Sequence, residues 1–243
     1  EGWALEWNDG AVMNGNKTEH IKDAAMVLST YFDIVGIRCF PTLTDREADY
    51  GEHVIKQLIK YSTVPVISLE SATLHPLQSL ADSITMFEMW NKKTKPKVVL
   101  TWAPHVKALP QAVSKAFAEG MRALKMDITI TQPKGYELAP QYTRGIHVEH
   151  DQQKALKGAN FVYVKNWSAY EPYGKTPAVK ENWLLNEKKM KATDNGYIMH
   201  CLPVRRNVEL HDELIDSKRS LIPWQAENRL YSAAIVMKKI LEK

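Results

Sequence analysis

Short β-branched runs alternate with helical patterns along almost the whole of this 243-residue chain. The runs at 33–40, 64–70 and 98–103 have the composition of buried strands, and helical apolar spacing fills the stretches between them. Strands separated by helices pair in parallel through right-handed crossovers. The alternation therefore predicts an α/β fold of two doubly wound parallel-sheet domains. Further strands are predicted at 127–131, 146–150, 161–167, 197–202 and 220–224.

The polar segment NKKTKPK, at 91–97, is predicted to link the two domains. Residues 1–93 would form the first and residues 94–243 the second. A long helix is predicted from about residue 226 to 241, and it is expected to pack back on the first domain. Because the sequence opens without a methionine in an apparent loop, we expect the first domain to be incomplete at its N-terminus.

Composition narrows the classes of function. Lys and Arg number 32 against 28 Asp and Glu, which gives a net charge of +4 without any block of like charges. This balance suits an anionic small molecule or simply a solvated surface. Basic residues do not cluster with aromatic ones, so no nucleic-acid partner is expected. No membrane partner is expected either, because no apolar run approaches the roughly 18 residues that a span needs.

The chain has two cysteines, Cys39 and Cys201, and neither stands in a CxxC or Cys/His spacing. This pattern predicts neither a disulfide framework nor a zinc site. No metal or cofactor is expected, and the expected compartment is the cytoplasm.

Polar side chains follow several predicted strands at their carboxyl ends, which is where open parallel sheets bind ligands. Arg38 ends the first strand, Glu70 ends the second, and Lys165 closes FVYVK. His105 follows TWAP, and Cys201 follows YIMH. We expect these residues to face a cleft between the domains. For Lys165 and His105 the alternative is a side chain that reaches solvent.

The tetrapeptide HPLQ places His75 and Gln78 three residues apart at a predicted helix start, so both side chains can face one point. A histidine there can donate to a carbonyl oxygen that becomes more negative under attack, and an amide can donate or accept. The alternative is a helix cap with a satisfied histidine. Arg38 offers a planar fork for phosphate or carboxylate, although a surface ion pair is equally compatible with its position.

The segment MHCLPVRRN places a thiol and a proline after an apolar run. Cys201 could be a nucleophile, because nearby arginines lower a thiol pKa. We favour a small buried residue with an important carbonyl, because the neighbouring His200 points to the opposite face of a strand. Leu202-Pro203 is a candidate cis bond.

Arg205 and Arg206 in the same segment repel each other unless an anion or an acidic side chain lies between them. At least one of them is therefore expected to bind a ligand. Trp3, in EGWALEW, is either an exposed aromatic that seeks a partner chain or part of a loop core.

Taken in order, HPLQ, HCLPVRRN and ENR on an alternating α/β chain resemble the aspartate and ornithine carbamoyltransferase superfamily. The resemblance covers essentially all 243 residues. LESATLHPLQSLAD and VYVKNW are similar to the N-acetylornithine and N-succinylornithine carbamoyltransferase branch. This resemblance implies that the carbamoyl group of carbamoyl phosphate is transferred to the δ-amine of an N-acylated ornithine, a step in arginine biosynthesis. It also implies a homotrimer with shared active sites.

The resemblance also implies roles for matching residues. His75 and Arg38 would polarise the carbonyl, and Gln78 would complete the catalytic set. The carbamoyl phosphate site would consist of Trp3 from a neighbouring subunit, Arg38, His75, Gln78, Cys201, Leu202 and Arg229. The acylated ornithine would be held by Glu70, His105, Lys165 and Arg205. Phosphate oxygens can take the amine proton, so positioning and electrostatics would supply most of the catalysis.

Three departures from the family pattern bear on activity and substrate. The phosphate-binding motif Ser-x-Arg-Thr-Arg is absent, so this fragment is expected to be inactive or nearly so, and the complete gene product to be an enzyme. Thr18 stands where acetyl-specific relatives carry glutamate and succinyl-specific ones proline. Neutral Thr18 beside Lys17 would not repel a succinyl carboxylate, which favours N-succinylornithine. Glu209 stands where acetyl-specific relatives have a modified lysine.

Two other functions remain open on sequence alone. An ordinary ornithine carbamoyltransferase would need a carboxylate aimed at the free α-amino group of its substrate. A non-catalytic relative, which binds metabolites or assembles with a catalytic subunit, would account for the missing phosphate motif.

Overall fold

The computed structural model describes residues 4–242, and every pair of neighbouring strands in this range is parallel. Residues 4–89, here called the first lobe, hold two small sheets. In one, β1 (Leu5–Glu6) pairs with β2 (Glu19–His20), and in the other, β3 (Val35–Arg38) pairs with β4 (Val66–Glu70). The helices of this lobe are α1 (Ile21–Tyr31), α2 (Arg46–Gly51), α3 (His53–Tyr61) and α4 (Pro76–Met89).

The loop between β4 and α4 is held by Glu52, the left-handed residue that separates α2 from α3. Its carboxylate accepts hydrogen bonds from the Ser71 hydroxyl at 2.6 Å and from the Thr73 backbone N–H at 2.9 Å. Pro76 then starts α4, where a missing N–H costs little. These contacts fix the position of His75, which directly precedes the helix.

Residues 97–221, here called the second lobe, contain one five-stranded sheet. Its strands are β5 (Lys97–Trp102), β6 (Asp127–Thr131), β7 (His147–Glu149), β8 (Phe161–Lys165) and β9 (Tyr197–Met199). Their spatial order is β7-β6-β5-β8-β9, so the chain first adds strands on one side of β5 and then on the other. The helices of this lobe are α5 (Ala112–Ala123), α6 (Pro140–Thr143), α7 (Gln152–Leu156), α8 (Glu187–Met190) and α9 (Asp212–Ile215).

Alternate residues of the central strands enter two different cores, as the two-residue period of a strand requires. Leu100 of β5 and Tyr163 of β8 pack on one face, with Phe117 of α5 and Met86 of α4. Val99 and the remaining alternate residues pack on the other face, against α7, α8 and α9. Both faces are covered by helices, so these strands form nearly continuous apolar runs.

The prediction of a strand at 220–224 is wrong. Ser220 makes only an isolated bridge to Ile198, and the segment then enters α10 (Ile222–Leu241). Pro223 lies in the first turn of this helix, a position that proline favours. The prediction of an α/β fold with parallel sheets and a long C-terminal helix is confirmed. None of the helices in residues 4–242 has both the length and the apolar character that crossing a bilayer requires.

Helix α10 packs along α4 of the first lobe. The Asn228 amide donates to the Thr85 hydroxyl at 2.9 Å and to the Glu88 carboxylate at 2.7 Å. One turn earlier, the Gln225 amide donates to Asp82 at 2.8 Å. The last helix therefore bonds to the first lobe through buried polar pairs.

A second contact between the lobes involves the loop of the second lobe that contains Tyr173 and Gly174. The Tyr173 hydroxyl donates to the Asp49 carboxylate at 2.8 Å. Gly174 has a φ of +68°, and a Cβ there would lie 2.0 Å from the carbonyl oxygen of Leu43. Only glycine fits this approach, so the loop sits directly on the first lobe.

Candidate active site

A cavity of about 520 Å³ opens where strands of both lobes end. Arg38 and Glu70 end β3 and β4, and Lys165 ends β8. In the five-stranded sheet the strand order reverses between β5 and β8, and such a reversal leaves a crevice at the carboxyl ends. The cavity is lined by ten of the predicted residues: Arg38, Glu70, His75, Gln78, His105, Lys165, Cys201, Leu202, Arg205 and Arg229.

Glu70 joins two of the predicted catalytic side chains. Its Oε2 accepts from Arg38 Nη2 at 2.6 Å and from Arg38 Nε at 3.0 Å, and it lies 3.9 Å from His75 Nε2. Arg38 is half exposed while Glu70 is buried. The surface ion pair considered for Arg38 therefore exists on its Glu70 side, and its guanidinium still lines the cavity.

His75 does not cap α4, because its side chain makes no hydrogen bond to the first turn. Its Nδ1 is buried and has no hydrogen-bond partner among residues 4–242. Burial, together with the charges of Arg38 and Arg229, lowers the pKa of His75 to about 4. At neutral pH the ring is thus uncharged, and one of its two nitrogens carries a hydrogen that can be donated in a hydrogen bond.

Gln78 is 2% exposed and its amide nitrogen is already engaged. Gln78 Nε2 donates to Asp82 Oδ1 at 2.8 Å. The oxygen Oε1 is therefore the atom left to meet a ligand in the cavity.

Cys201 is not an activated nucleophile. Burial raises the pKa of its thiol, so the thiol stays protonated at neutral pH. His200 is fully buried, its Nδ1 accepts from the Leu202 N–H at 2.9 Å, and its Nε2 faces Glu209 at 3.5 Å. Neither ring nitrogen of His200 is therefore available as a base for the Cys201 thiol. The Leu202–Pro203 bond is cis, as predicted.

The two adjacent arginines have different partners. Arg206 donates to the carboxylates of Asp212 and Asp216 at 2.8 to 2.9 Å, which neutralises it. Arg205 donates through Nε to His105 Nε2 at 3.0 Å and lines the cavity. Acidic side chains therefore account for Arg206, and Arg205 is the one that faces the cavity.

Lys165 does not extend into solvent, because it is only 8% exposed. It lines the cavity and its charge acts on Cys201 and on the buried pair of His200 and Glu209. Glu209 accepts from the Arg205 backbone N–H at 2.8 Å. The region beside Lys165 is thus a buried polar cluster rather than a surface.

Two of the remaining predicted residues do not line this cavity, and a third cannot be placed. Trp3 lies outside the described residues. Lys17 and Thr18 are exposed near β2, and the Thr18 hydroxyl and backbone N–H both donate to the Ala4 carbonyl oxygen at 3.1 and 2.9 Å. Neither of these two lines the cavity.

The structure adds lining residues that the sequence reasoning missed. The Phe40 ring lies 4.7 Å from the Arg38 guanidinium, and its position directly after a predicted strand could have signalled it. Leu109, Pro110, Val113 and Val204 also line the cavity, and their apolar types carry no chemical signal.

The lining is strongly cationic. It holds Arg38, Lys165, Arg205 and Arg229, while Glu70 is the one acidic side chain among the described residues that line it. Such a site favours small anions with several negative groups. No group of three or more His, Cys, Asp or Glu side chains within residues 4–242 is arranged to hold a metal ion.

Comparisons with known proteins agree with this geometry. Residues 3–88 match the domain family described as aspartate/ornithine carbamoyltransferase, carbamoyl-P binding domain. Residues 110–240 match its Asp/Orn binding domain. Together the two matches span most of the chain.

Individual relatives cover nearly the whole chain. An N-succinylornithine carbamoyltransferase of Bacteroides thetaiotaomicron is 48% identical over 242 residues, which is 99% of this chain and 76% of the relative. An N-acetylornithine carbamoyltransferase of Xanthomonas axonopodis pv. citri is 35% identical over 257 residues, which is 98% of this chain and 75% of the relative.

A solved structure has the same fold. It is an N-acetyl-L-ornithine transcarbamylase variant, with one glutamate replaced by serine, complexed with carbamyl phosphate and N-succinyl-L-norvaline. It is 35% identical, has a TM-score of 0.92 and covers 98% of this chain and 77% of its own.

Proposed function

Because the chain belongs to the aspartate/ornithine carbamoyltransferase family, we propose that it carbamoylates an N-acylated ornithine. The donor is carbamoyl phosphate, the acceptor is the δ-amine, and N-succinylornithine is preferred over N-acetylornithine. The reaction belongs to arginine biosynthesis in the cytoplasm. The free thiols of Cys39 and Cys201 agree with that compartment.

One observation carries the proposal: four cationic side chains and one carboxylate line a single cavity between the lobes. Carbamoyl phosphate and an acylated ornithine both bring negative charge to it. A free ornithine would also bring an α-ammonium group, which needs a carboxylate partner. Among the described residues that line the cavity, Glu70 is the one carboxylate, and it is already bonded to Arg38. This favours a substrate whose α-nitrogen is a neutral amide.

At the carbamoyl phosphate end, Arg38 and Arg229 bind the phosphate, and Arg38 also polarises the carbonyl together with His75. His75 donates to the carbonyl oxygen as an uncharged imidazole, which the lowered pKa supports. Gln78 Oε1 accepts from the carbamoyl NH2, together with the main-chain oxygens of Cys201 and Leu202. Trp3 reaches this end from a neighbouring subunit of a trimer.

At the acceptor end, Arg205 binds the α-carboxylate of the acylated ornithine, and the His105 ring supports that guanidinium at 3.0 Å. Lys165 and Glu70 line the same cavity, and they hold the side chain of the substrate. The δ-amine is thereby directed at the carbamoyl carbon.

The chemistry needs no strong base from the protein. The neutral δ-amine attacks the carbonyl carbon, a C–N bond forms, and the bond from carbon to the phosphate oxygen breaks. The leaving phosphate takes the amine proton, which gives inorganic phosphate and the N-acylated citrulline. The protein contributes orientation and fixed positive charge.

Two observations support the succinyl preference. The N-succinylornithine relative has the higher identity, 48% against 35%. Furthermore, an N-acetyl-L-ornithine transcarbamylase that lacks one glutamate was solved with N-succinyl-L-norvaline. The resemblance to the family implies that Thr18 stands at a loop position where acetyl-specific relatives carry a glutamate. Since neither Thr18 nor Lys17 lines the cavity of its own chain, we propose that both act in the cavity of a neighbouring subunit of the trimer.

The test uses the complete gene product, because the fragment alone is expected to be inactive. It measures carbamoyl transfer from carbamoyl phosphate to three acceptors in parallel: N-succinylornithine, N-acetylornithine and ornithine. We expect kcat/KM to be highest for N-succinylornithine and lowest for ornithine. A higher value for free ornithine would identify an ordinary ornithine carbamoyltransferase. Binding of all three without product would indicate the non-catalytic relative.

A further inference from the structure

Asp82 is a fully buried acid that the proposed reaction has not yet used. It lies on α4 one turn after Gln78, and its exposure is 0%. A single oxygen, Oδ1, accepts two hydrogen bonds of 2.8 Å, one from Gln78 Nε2 and one from Gln225 Nε2. The other oxygen, Oδ2, has no hydrogen bond of normal geometry among residues 4–242, although the buried Tyr163 hydroxyl lies near enough to the carboxyl group to act on its pKa. A buried carboxyl group with so few contacts is costly to retain for packing alone.

The bond to Gln78 decides which way that amide faces. An amide has one donor end and one acceptor end. Because Asp82 Oδ1 takes the NH2 end, the Gln78 oxygen must face away from Asp82. Without this carboxyl group the amide of Gln78 could rotate and present a donor, which would clash with the NH2 of a carbamoyl group.

The bond to Gln225 extends the same chain of contacts to the strand end. Gln225 Oε1 accepts from the His200 backbone N–H at 2.8 Å, and His200 Nδ1 accepts from the Leu202 N–H at 2.9 Å. The residues Asp82 and Gln225 are 143 positions apart in the sequence. One carboxyl group is therefore connected to both elements that are proposed to surround the carbamoyl NH2.

We propose that Asp82 is a positioning residue for carbamoyl transfer. It aims the Gln78 oxygen at the carbamoyl NH2 and, through Gln225, sets the main chain from His200 to Leu202 in register with that oxygen. This inference rests on the proposed function. In this role Asp82 does not touch the substrate. It acts on the reaction through Gln78 and through the α10 helix.

Burial raises the pKa of Asp82 to about 7. In either protonation state Oδ1 can accept both amide hydrogens, since a proton can reside on Oδ2. An asparagine, whose Oδ1 also accepts, therefore preserves the arrangement, and a leucine of similar volume removes it. This difference supplies a conservative variant for rescue.

The chain also offers a matched control. Thr85 lies one turn further along α4 and joins the same two helices, because its hydroxyl accepts from Asn228 at 2.9 Å. It has no hydrogen bond to Gln78. If Asp82 served only to hold α4 against α10, then Thr85→Val would resemble Asp82→Leu in its effect on catalysis.

The experiment uses the complete gene product and measures kcat and KM for carbamoyl phosphate. The proteins compared are the wild type, Asp82→Leu, Asp82→Asn, Thr85→Val, Gln78→Ala and the double variant of Asp82→Leu with Gln78→Ala. We expect Asp82→Leu to lose about a hundredfold in kcat/KM, as a displaced contact of this kind does. Asp82→Asn should stay within about tenfold and Thr85→Val within about threefold of wild type. Because Asp82 also acts through Gln225, the double variant should be worse than Gln78→Ala alone, but its loss should be smaller than the product of the two single losses.

Equal losses in Asp82→Leu and Thr85→Val, or additive losses in the double variant, would overturn the proposal. If Asp82→Leu is not recovered folded, Gln225→Met decides: we expect a loss of about tenfold, and wild-type kinetics would overturn the proposal. A crystal structure of Asp82→Leu or Gln225→Met provides a readout that does not depend on turnover. Were the wild type to show no transfer to any ornithine, the proposed function would fail, while an unmoved Gln78 or Leu202 would refute the positioning role alone.

Discussion

The floor of the cavity and its rim differ in burial. The floor consists of three residues that are each less than a tenth exposed: His75, Gln78 and Cys201. The rim consists of three exposed arginines: Arg38, Arg205 and Arg229. Buried partners fix the floor, since Gln78 is bonded to Asp82 and the strand end is bonded to Gln225. The rim consists of long guanidinium side chains at the surface. The floor can therefore hold a geometry, and the rim supplies charge with a looser geometry.

The difference indicates a division of labour. A group that must meet a developing charge at one atom has to be held in place before the reaction. A group that attracts a phosphate or carboxylate can act from several rotamers, because charge attraction is less directional than a hydrogen bond. Changes in the floor should thus reduce kcat, and changes in the rim should mainly raise KM.

The largest expected effect is in the floor. His75→Asn keeps a polar side chain but moves the donor away from the carbonyl oxygen, so kcat should fall by about 10² to 10³. Steady-state kinetics at saturating substrates measures it. His147→Asn, at an exposed histidine of β7, is the control and should keep full activity. An equal decline in KM and kcat, with no net change in kcat/KM, would contradict the role of the floor.

In the rim, Arg205→Ala should raise KM for the acylated ornithine about tenfold to a hundredfold, because one charge-assisted contact is worth about 1.5 to 3 kcal/mol. The fall in kcat should be smaller. Arg206→Ala removes a neighbouring guanidinium that is bonded to Asp212 and Asp216, so KM should change little. If both variants behave alike, the rim assignment of Arg205 is wrong.

Stability against pH tests the burial of the floor. The pKa of His75 falls from an ordinary 6.5 to about 4 in the fold, so the unfolded chain takes up the proton first as pH decreases. The free energy of unfolding should therefore drop between about pH 6.5 and pH 4, by up to about 1.4 kcal/mol per pH unit. Urea unfolding of wild type and His75→Asn measures the difference.

In that comparison the contribution of Asp82 cancels, because both proteins carry it. The pKa shift of Asp82 has the opposite direction, because its pKa is raised to about 7. Its contribution to the free energy of unfolding is therefore present at low pH and is lost as pH rises through that value. A His75→Asn protein with the same pH slope as the wild type would show that His75 titrates normally.

The smallest effect concerns substrate choice outside the cavity. Thr18→Glu adds a carboxylate that repels the succinyl carboxylate by about 1 kcal/mol in a wet environment, and the ratio of succinyl to acetyl kcat/KM should fall about fivefold. Thr18→Gln is the uncharged control and should leave the ratio nearly unchanged. Competition assays with both acyl substrates measure this ratio, and an unaltered ratio in Thr18→Glu would remove Thr18 from the specificity loop.

The sequence predicts the strands best where burial on both faces forces a continuous apolar run, as at the predicted strands 98–103 and 161–167, which overlap β5 and β8. It fails at 220–224, because the apolar residues of a helix start and those of a short strand look alike. The two-residue strands β1 and β2 were not predicted, since so short a pairing has no period of its own.

The same contrast holds in the site. Arg38, His75 and Lys165 could be found because strand and helix ends gather polar residues at one edge of a sheet. Asp82 could not, since its partner Gln225 is 143 residues away and an aspartate within a helix has no local signature. Arg206 was indistinguishable from Arg205 until Asp212 and Asp216 were placed beside it.

Gln225 and Arg229 stand four residues apart on α10, which is about one helical turn. Both project from a single rod that begins just after the second lobe ends. Inserting one residue into its first turn, ahead of Gln225, would rotate both side chains by about 100° around the axis. The start of this helix is thus a phasing element, whose length in residues is as constrained as the identity of the side chains it carries.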